Sequence, residues 1–197
     1  VATTDGERVF IGAWDSHLYA VAPEDGEILW RQPCQERTFA FSPAIGSPSV
    51  GMDRVFVVAN GNGLFSFDAA TGERHYEVSA PGDKYGHSSP RYHEGRIYAG
   101  GLGDAGLVHC ADAETGDLIW STPTGSVIYD SSPAVSDGNV SIGSVDGTLS
   151  VLDADSGALK HQFVLPTGHF LGSPAAGNGR IYAASFGNRL VALALPG

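Results

Sequence analysis

Lysine is almost missing from this sequence. Lys84 and Lys160 stand against nine arginines, and 11 basic residues face 22 acidic ones, for a net charge of −11. A chain so short of positive charge has no basic field with which to neutralise phosphates, so a nucleic-acid partner is excluded from the expectations. Cysteine is scarce too. Cys34 and Cys110 are 76 residues apart and fall at different positions of the repeat described below. A disulfide needs Cα atoms within about 7 Å, so none is expected. No apolar run reaches the roughly 18 residues of a spanning helix. No stretch reads as a signal peptide, and helical periodicity is absent throughout. "GxSxG", Walker and "HExxH" signatures are also absent, and the glycines of "GNGLFS" and "GNGRIY" lead strands, which leaves phosphate cradling unsupported.

What the sequence does have is turns at regular intervals. Glycine occurs 27 times and proline 11 times in a chain that is 42% hydrophobic, a globular composition. The Ser-Pro prolines Pro48, Pro90, Pro133 and Pro174 are spaced by 42, 43 and 41 residues. Six residues after each comes Arg54, Arg96, Asn139 or Arg180, opening "RVFVVA", "RIYAGG", "NVSIGS" and "RIYAAS"; Arg8 opens "RVFIGA" in the first copy. A second marker, Gly26, Gly72, Gly116 and Gly157, recurs at spacings of 46, 44 and 41. Two independent markers at one period establish an internal repeat.

Each copy holds four short strand signals separated by turns. Sequential strands with short links form an antiparallel meander, and four strands at a period near 43 residues are the blade of a β-propeller. The expected fold is therefore all-β. Four complete blades span 1–46, 47–88, 89–131 and 132–172, with an incomplete fifth at 173–197. Second and third strands are apolar on both faces, as in Val9, Phe10 and Ile11, because a blade packs on two neighbours. Trp30, Tyr76, Trp120 and His161 sit four residues after the turn glycines and are read as rungs wedged between blades. Asp68, Asp112 and Asp153 precede those glycines by four; their carboxylates are expected to accept turn N–H groups. Nineteen strands leave an open edge. The expectation is either a part of a larger ring or a ring completed by a partner.

The copy "SSPAVSDGNVSIGSVDGTLSVLDADSGALKHQF" (131–163) resembles the PQQ-like repeat, shared by the outer-membrane assembly lipoprotein BamB and the quinoprotein alcohol dehydrogenases. The resemblance covers the whole chain. It implies a ring of seven or eight blades and an extracytoplasmic setting. Its enzymatic branch holds the PQQ cofactor over a tryptophan floor under a disulfide of adjacent cysteines, beside calcium. Trp14 would be the floor here, but no adjacent cysteine pair exists, so no cofactor is expected. The non-catalytic branch is the better match: a binding or scaffold module for a protein, a peptide or a small ligand. A fragment of a PQQ-dependent dehydrogenase is the alternative.

A ligand would meet the loops that return from one blade into the next. These carry Phe39, Phe41, Tyr85, His87, Tyr129, Asp130, His169 and Phe170; the loops between second and third strands add Trp14, Asp15, Asn60, Asn62, Asp104, Asp146 and Asn188. Aromatics in loops are not demanded by strand packing. The candidate binding rim is Trp14, Tyr85, His87, Tyr129, Asp130, His169 and Phe170. The residue types of His87, Asp130 and His169 suit a metal or acid–base chemistry, but no metal-ligand spacing accompanies them, and a polar, water-bonded channel lining is the reading adopted. No catalytic, cofactor or metal residue is assigned. The expected partners are a protein or peptide at the rim, or a second copy through the open edge.

Overall fold

The computed structural model describes residues 1–34, 43–59, 63–80, 82–165, 169–170 and 172–195. Among these residues there is no helix, and nineteen strands form five antiparallel sheets, each ordered as the sequence runs. The first blade holds β1 (Ala2–Thr4), β2 (Val9–Gly12), β3 (His17–Val21) and β4 (Ile28–Pro33). The second holds β5 (Ser49–Gly51), β6 (Arg54–Ala59), β7 (Gly63–Asp68) and β8 (Arg74–Val78). The third holds β9 (Arg91–His93), β10 (Arg96–Gly100), β11 (Leu107–Asp112) and β12 (Leu118–Pro123). The fourth holds β13 (Ala134–Ser136), β14 (Asn139–Gly143), β15 (Thr148–Asp153) and β16 (Leu159–Val164). The last sheet has three strands, β17 (Ala175–Gly177), β18 (Arg180–Ser185) and β19 (Arg189–Ala194). The propeller architecture read from the repeat is the one observed.

Turn chemistry sets the hairpins. Between first and second strands, Glu94–Gly95, Asp137–Gly138 and Asn178–Gly179 all have positive φ, from 47° to 78°. Positive φ at both central residues is the type I′ turn, whose twist matches the flanking strands. Between third and fourth strands, Asp68 Oδ1 accepts the N–H groups of Ala70 and Thr71 at 3.0 and 2.7 Å, and Asp112 does the same for Glu114 and Thr115 at 2.8 and 2.9 Å. The N–H groups of Thr71 and Thr115 are the largest influence holding these two carboxyls below the ordinary range. These aspartates hold turns together.

There is no single core. Four apolar slabs fill the four seams between successive blades, so inner strands such as β14 are buried on both faces. A bulge recurs at one place in the third–fourth pairing of the first four blades, just after the pairs Ala20–Trp30, Ser66–Tyr76, Cys110–Trp120 and Val151–His161. It brings Trp30, Tyr76 and Trp120 against the next blade, whereas His161, expected to be wedged in the same way, is exposed. Trp30 Nε1 donates to Ala69 O at 3.0 Å, Tyr76 Oη to Ala113 O at 3.1 Å and Trp120 Nε1 to Ala154 O at 3.2 Å. Arg54 and Arg96 reach the same turns, at Glu114 O (2.6 Å) and Ala154 O (2.9 Å).

The end blades differ from the pattern. Ile11, expected inside, is 39% exposed, because among the described residues no other blade packs on its face of β2. Tyr182 and Leu190 are exposed on the last sheet for the equivalent reason. Cys34 and Cys110 are separate buried thiols, and burial pushes both up to about 12.

Candidate functional site

In a meander, the loops from fourth to first strand and from second to third strand emerge on the same face. The structure ties them together there. Val145 N donates to Val127 O at 3.0 Å, Phe170 N to Ser144 O at 3.1 Å and Leu102 N to Lys84 O at 2.7 Å. Loops locked by backbone hydrogen bonds present fixed side chains, which lowers the ordering cost of binding.

Three candidate rim residues come together at this face. His87 N–H donates to Tyr129 O at 3.2 Å, so two successive inter-blade loops run side by side. The His87 ring meets Asp130 through Nδ1 and Oδ1 at 3.0 Å. The Tyr129 ring stands edge-on to His87, with centroids 4.6 Å apart and an interplanar angle of 67°. His87 is mostly covered, whereas Tyr129 is 41% exposed. The cluster thus consists of a half-exposed aromatic ring seated on a hydrogen-bonded polar pair.

Trp14 lies on the same face of the first blade, in the β2–β3 loop, and is 56% exposed. Its neighbour Asp15 accepts the Tyr19 hydroxyl at 2.5 Å and the His17 N–H at 3.1 Å. Burial pushes the Asp15 carboxyl up, but these bonds outweigh it and hold it below the ordinary range. His169 belongs to the seam between the fourth and fifth blades, where its ring bonds to Val145 O.

Two rim assignments are corrected. Tyr85 is 2% exposed and Phe170 1% exposed. Tyr85 forms a β-bridge with Gly101 and packs its ring on His109 at 5.4 Å. Phe170 fills the space over Gly143, where an added Cβ would lie 2.4 Å from the Phe170 Cβ. Both are plugs in the seams, and for Phe170 the glycine closing the second strand, Gly143, was the sequence signal. Phe39, Phe41, Asn60 and Asn62 lie outside the described residues.

A polar line was missed by the sequence reading. Asp83 Oδ1 accepts Lys84 N and Gly103 N, both at 2.6 Å, and Gly101 and Gly103 leave room for the carboxylate. Asp83 Oδ2 faces His109 Nε2 at 3.9 Å, too long for a hydrogen bond, and both atoms are buried. His109 Nδ1 meets Ser121 Oγ at 3.1 Å. Burial holds His109 below its usual value, with Asp83 opposing. The unfolded chain therefore binds this proton more readily than the folded one. The contribution is complete above the unfolded value near 6.5 and is lost as pH falls through the lower folded value. The urea midpoint should decline on acidification through this range, and less steeply in His109→Asn. An identical pH profile in the variant would assign the acid sensitivity to other groups.

The sequence profile of the family described as outer membrane protein assembly factor BamB matches residues 1–101 and 79–196. The outer membrane protein assembly factor BamB of Yersinia pestis is 26% identical over 97% of this chain and 49% of its own length. Among solved structures, BamB from Moraxella catarrhalis superposes with a TM-score of 0.78 at 18% identity, covering 98% of this chain and 56% of that one. Quinohemoprotein alcohol dehydrogenase from Comamonas testosteroni gives 0.80 at 15% identity, covering 98% and 41%. The chain spans about half the length of the curated relative it matches, and at such identities the structural likenesses carry the fold alone.

Proposed function

This chain belongs to the family of outer membrane protein assembly factor BamB, and from that premise we propose that it is a non-enzymatic, extracytoplasmic scaffold that binds a protein or extended peptide. The single observation that supports this reading is the rim: Tyr129, half-exposed over the His87–Asp130 pair, on loops fixed by backbone hydrogen bonds. Exposed, rigidly seated tyrosines and tryptophans are the usual anchors of protein recognition, and Trp14 supplies a second one on the same face. The assembly role named for the relatives comes to this chain as part of this proposal.

The residues do not fit the dehydrogenase alternative. The adjacent cysteine pair of that branch has no counterpart, since Cys34 and Cys110 are buried in different blades, and no step through PQQ is derived.

A photo-crosslinking residue at Tyr129 should trap a partner from an envelope extract. The purified partner should then bind Tyr129→Ala about 30-fold more weakly, equivalent to about 2 kcal/mol, with the thermal melt unchanged. Equal affinity in a folded Tyr129→Ala protein would remove the rim from the interface. Saturable PQQ binding with calcium and dye-linked alcohol oxidation would replace the scaffold reading with the enzymatic one.

A further inference from the structure

The central channel has a chemistry that the rim does not use. The innermost strands β5, β9, β13 and β17, with their Ser-Pro lead-ins, line a cavity of about 680 Å³, within the usual size range of small-molecule sites. The lead-in serines form a ladder across the seams. Ser47 N donates to Ser89 Oγ at 2.8 Å, Ser89 N to Ser132 Oγ at 2.9 Å and Ser132 N to Ser173 Oγ at 3.0 Å. A hydroxyl both accepts and donates. Here the Oγ of Ser89, Ser132 and Ser173 each accepts a backbone N–H, and among the described residues their own O–H groups have no acceptor. The wall therefore offers a row of hydroxyl donors, one from each of the third, fourth and fifth blades.

One charge stands in that wall. Arg91 lines the cavity as an exposed residue, and among the described residues its guanidinium has no hydrogen-bond or ion-pair partner. The other blades carry Thr3, Ser49, Ala134 and Ala175 at this position, so the fold does not call for an arginine there. Among the described residues no Asp or Glu lines the cavity, although acids outnumber bases by 22 to 11 in the chain. An unpaired guanidinium, several hydroxyl donors and no carboxylate make up an anion-binding wall inside an acidic protein.

We propose that the channel binds a small organic polycarboxylate. One carboxylate pairs with the Arg91 guanidinium, whose planar fork suits bidentate contact. The remaining ligand oxygens accept from the serine hydroxyls of the neighbouring blades. Because those donors are distributed from blade to blade, the site calls for separated acceptor groups, which a compact inorganic anion lacks.

The test is calorimetric titration of the 197-residue chain at low chloride, with citrate and inorganic phosphate as probes. Citrate should bind saturably at one site, and phosphate more weakly. Arg91→Ala installs the residue that two sister blades already have, so its circular dichroism and melt should match the parent, while citrate affinity falls at least about tenfold. Ser132→Ala should weaken citrate binding less than Arg91→Ala does. Absence of citrate binding by the parent chain, equal citrate affinity in Arg91→Ala, or phosphate binding as tight as citrate would each overturn the proposal.

Discussion

Trp120→Ala should destabilise the protein by about 3–5 kcal/mol, the range for removing a large buried aromatic side chain. The ring is 8% exposed and closes the seam between the third and fourth blades with Tyr98, Val140 and Leu152. Its Nε1 bond to Ala154 O contributes less, because that carbonyl also accepts from Arg96 and Tyr98. Trp120→Phe, which keeps most of the ring area and loses the bond, should therefore cost only about 1 kcal/mol. His161 occupies the equivalent rung of the fourth blade and is exposed, so His161→Ala should stay within about 0.5 kcal/mol. Equilibrium urea unfolding of the three variants checks the order. A loss at His161 matching that at Trp120 would mean that the seam does not account for the effect.

Gly157→Ala should cost about 3 kcal/mol, while Gly26→Ala, at the same position of the first blade, should cost about 1 kcal/mol. Both glycines have positive φ, +72° and +77°, so the backbone penalty is shared. They differ in what a new Cβ would meet. At Gly157 it would lie 2.5 Å from Trp120 Cδ2, against a ring already packed; at Gly26 nothing lies within 4 Å. The difference between the two midpoints isolates the clash from the turn conformation. Equal losses would show that the turn alone sets the cost and that the Trp120 contact yields freely.

These two experiments bear on the glycine turns, whose contact with the preceding blade lay beyond the sequence reading. Their outer position and their Asp-capped geometry were legible, because both depend on residues four positions apart. The grip of the preceding blade on each turn was not. It depends on the recurrent bulge beside Trp30, Tyr76 and Trp120, and a bulge leaves no mark in residue type.

The candidate site divides in the same way. His87, Tyr129 and Asp130 were legible as loop residues of binding character, and they do meet one another. Tyr85 and Phe170 looked equivalent in sequence, yet they are buried. Whether a loop aromatic faces solvent or plugs a seam depends on the space left by the blade it crosses, and that space is set by Gly143 beneath Phe170 and by the β-bridge to Gly101 at Tyr85. The Asp83–His109–Ser121 line escaped notice because its members are distant in sequence and belong to no motif.

The sequence by itself determined the repeat, the four-stranded meander and the turns, because each follows from local spacing: residues two apart share a strand face, and glycine with its neighbours selects the turn. It also determined the acidic balance and the row of Ser-Pro lead-ins. Only the tertiary structure decided what faces what across the seams: that the serine hydroxyls accept from the preceding blade, that Arg91 stands without a partner in the channel among the described residues, and that two of seven rim candidates belong to the core. The serine contacts join residues about forty positions apart, and the geometry of all these contacts is set by how two twisted sheets pack, which no local pattern encodes.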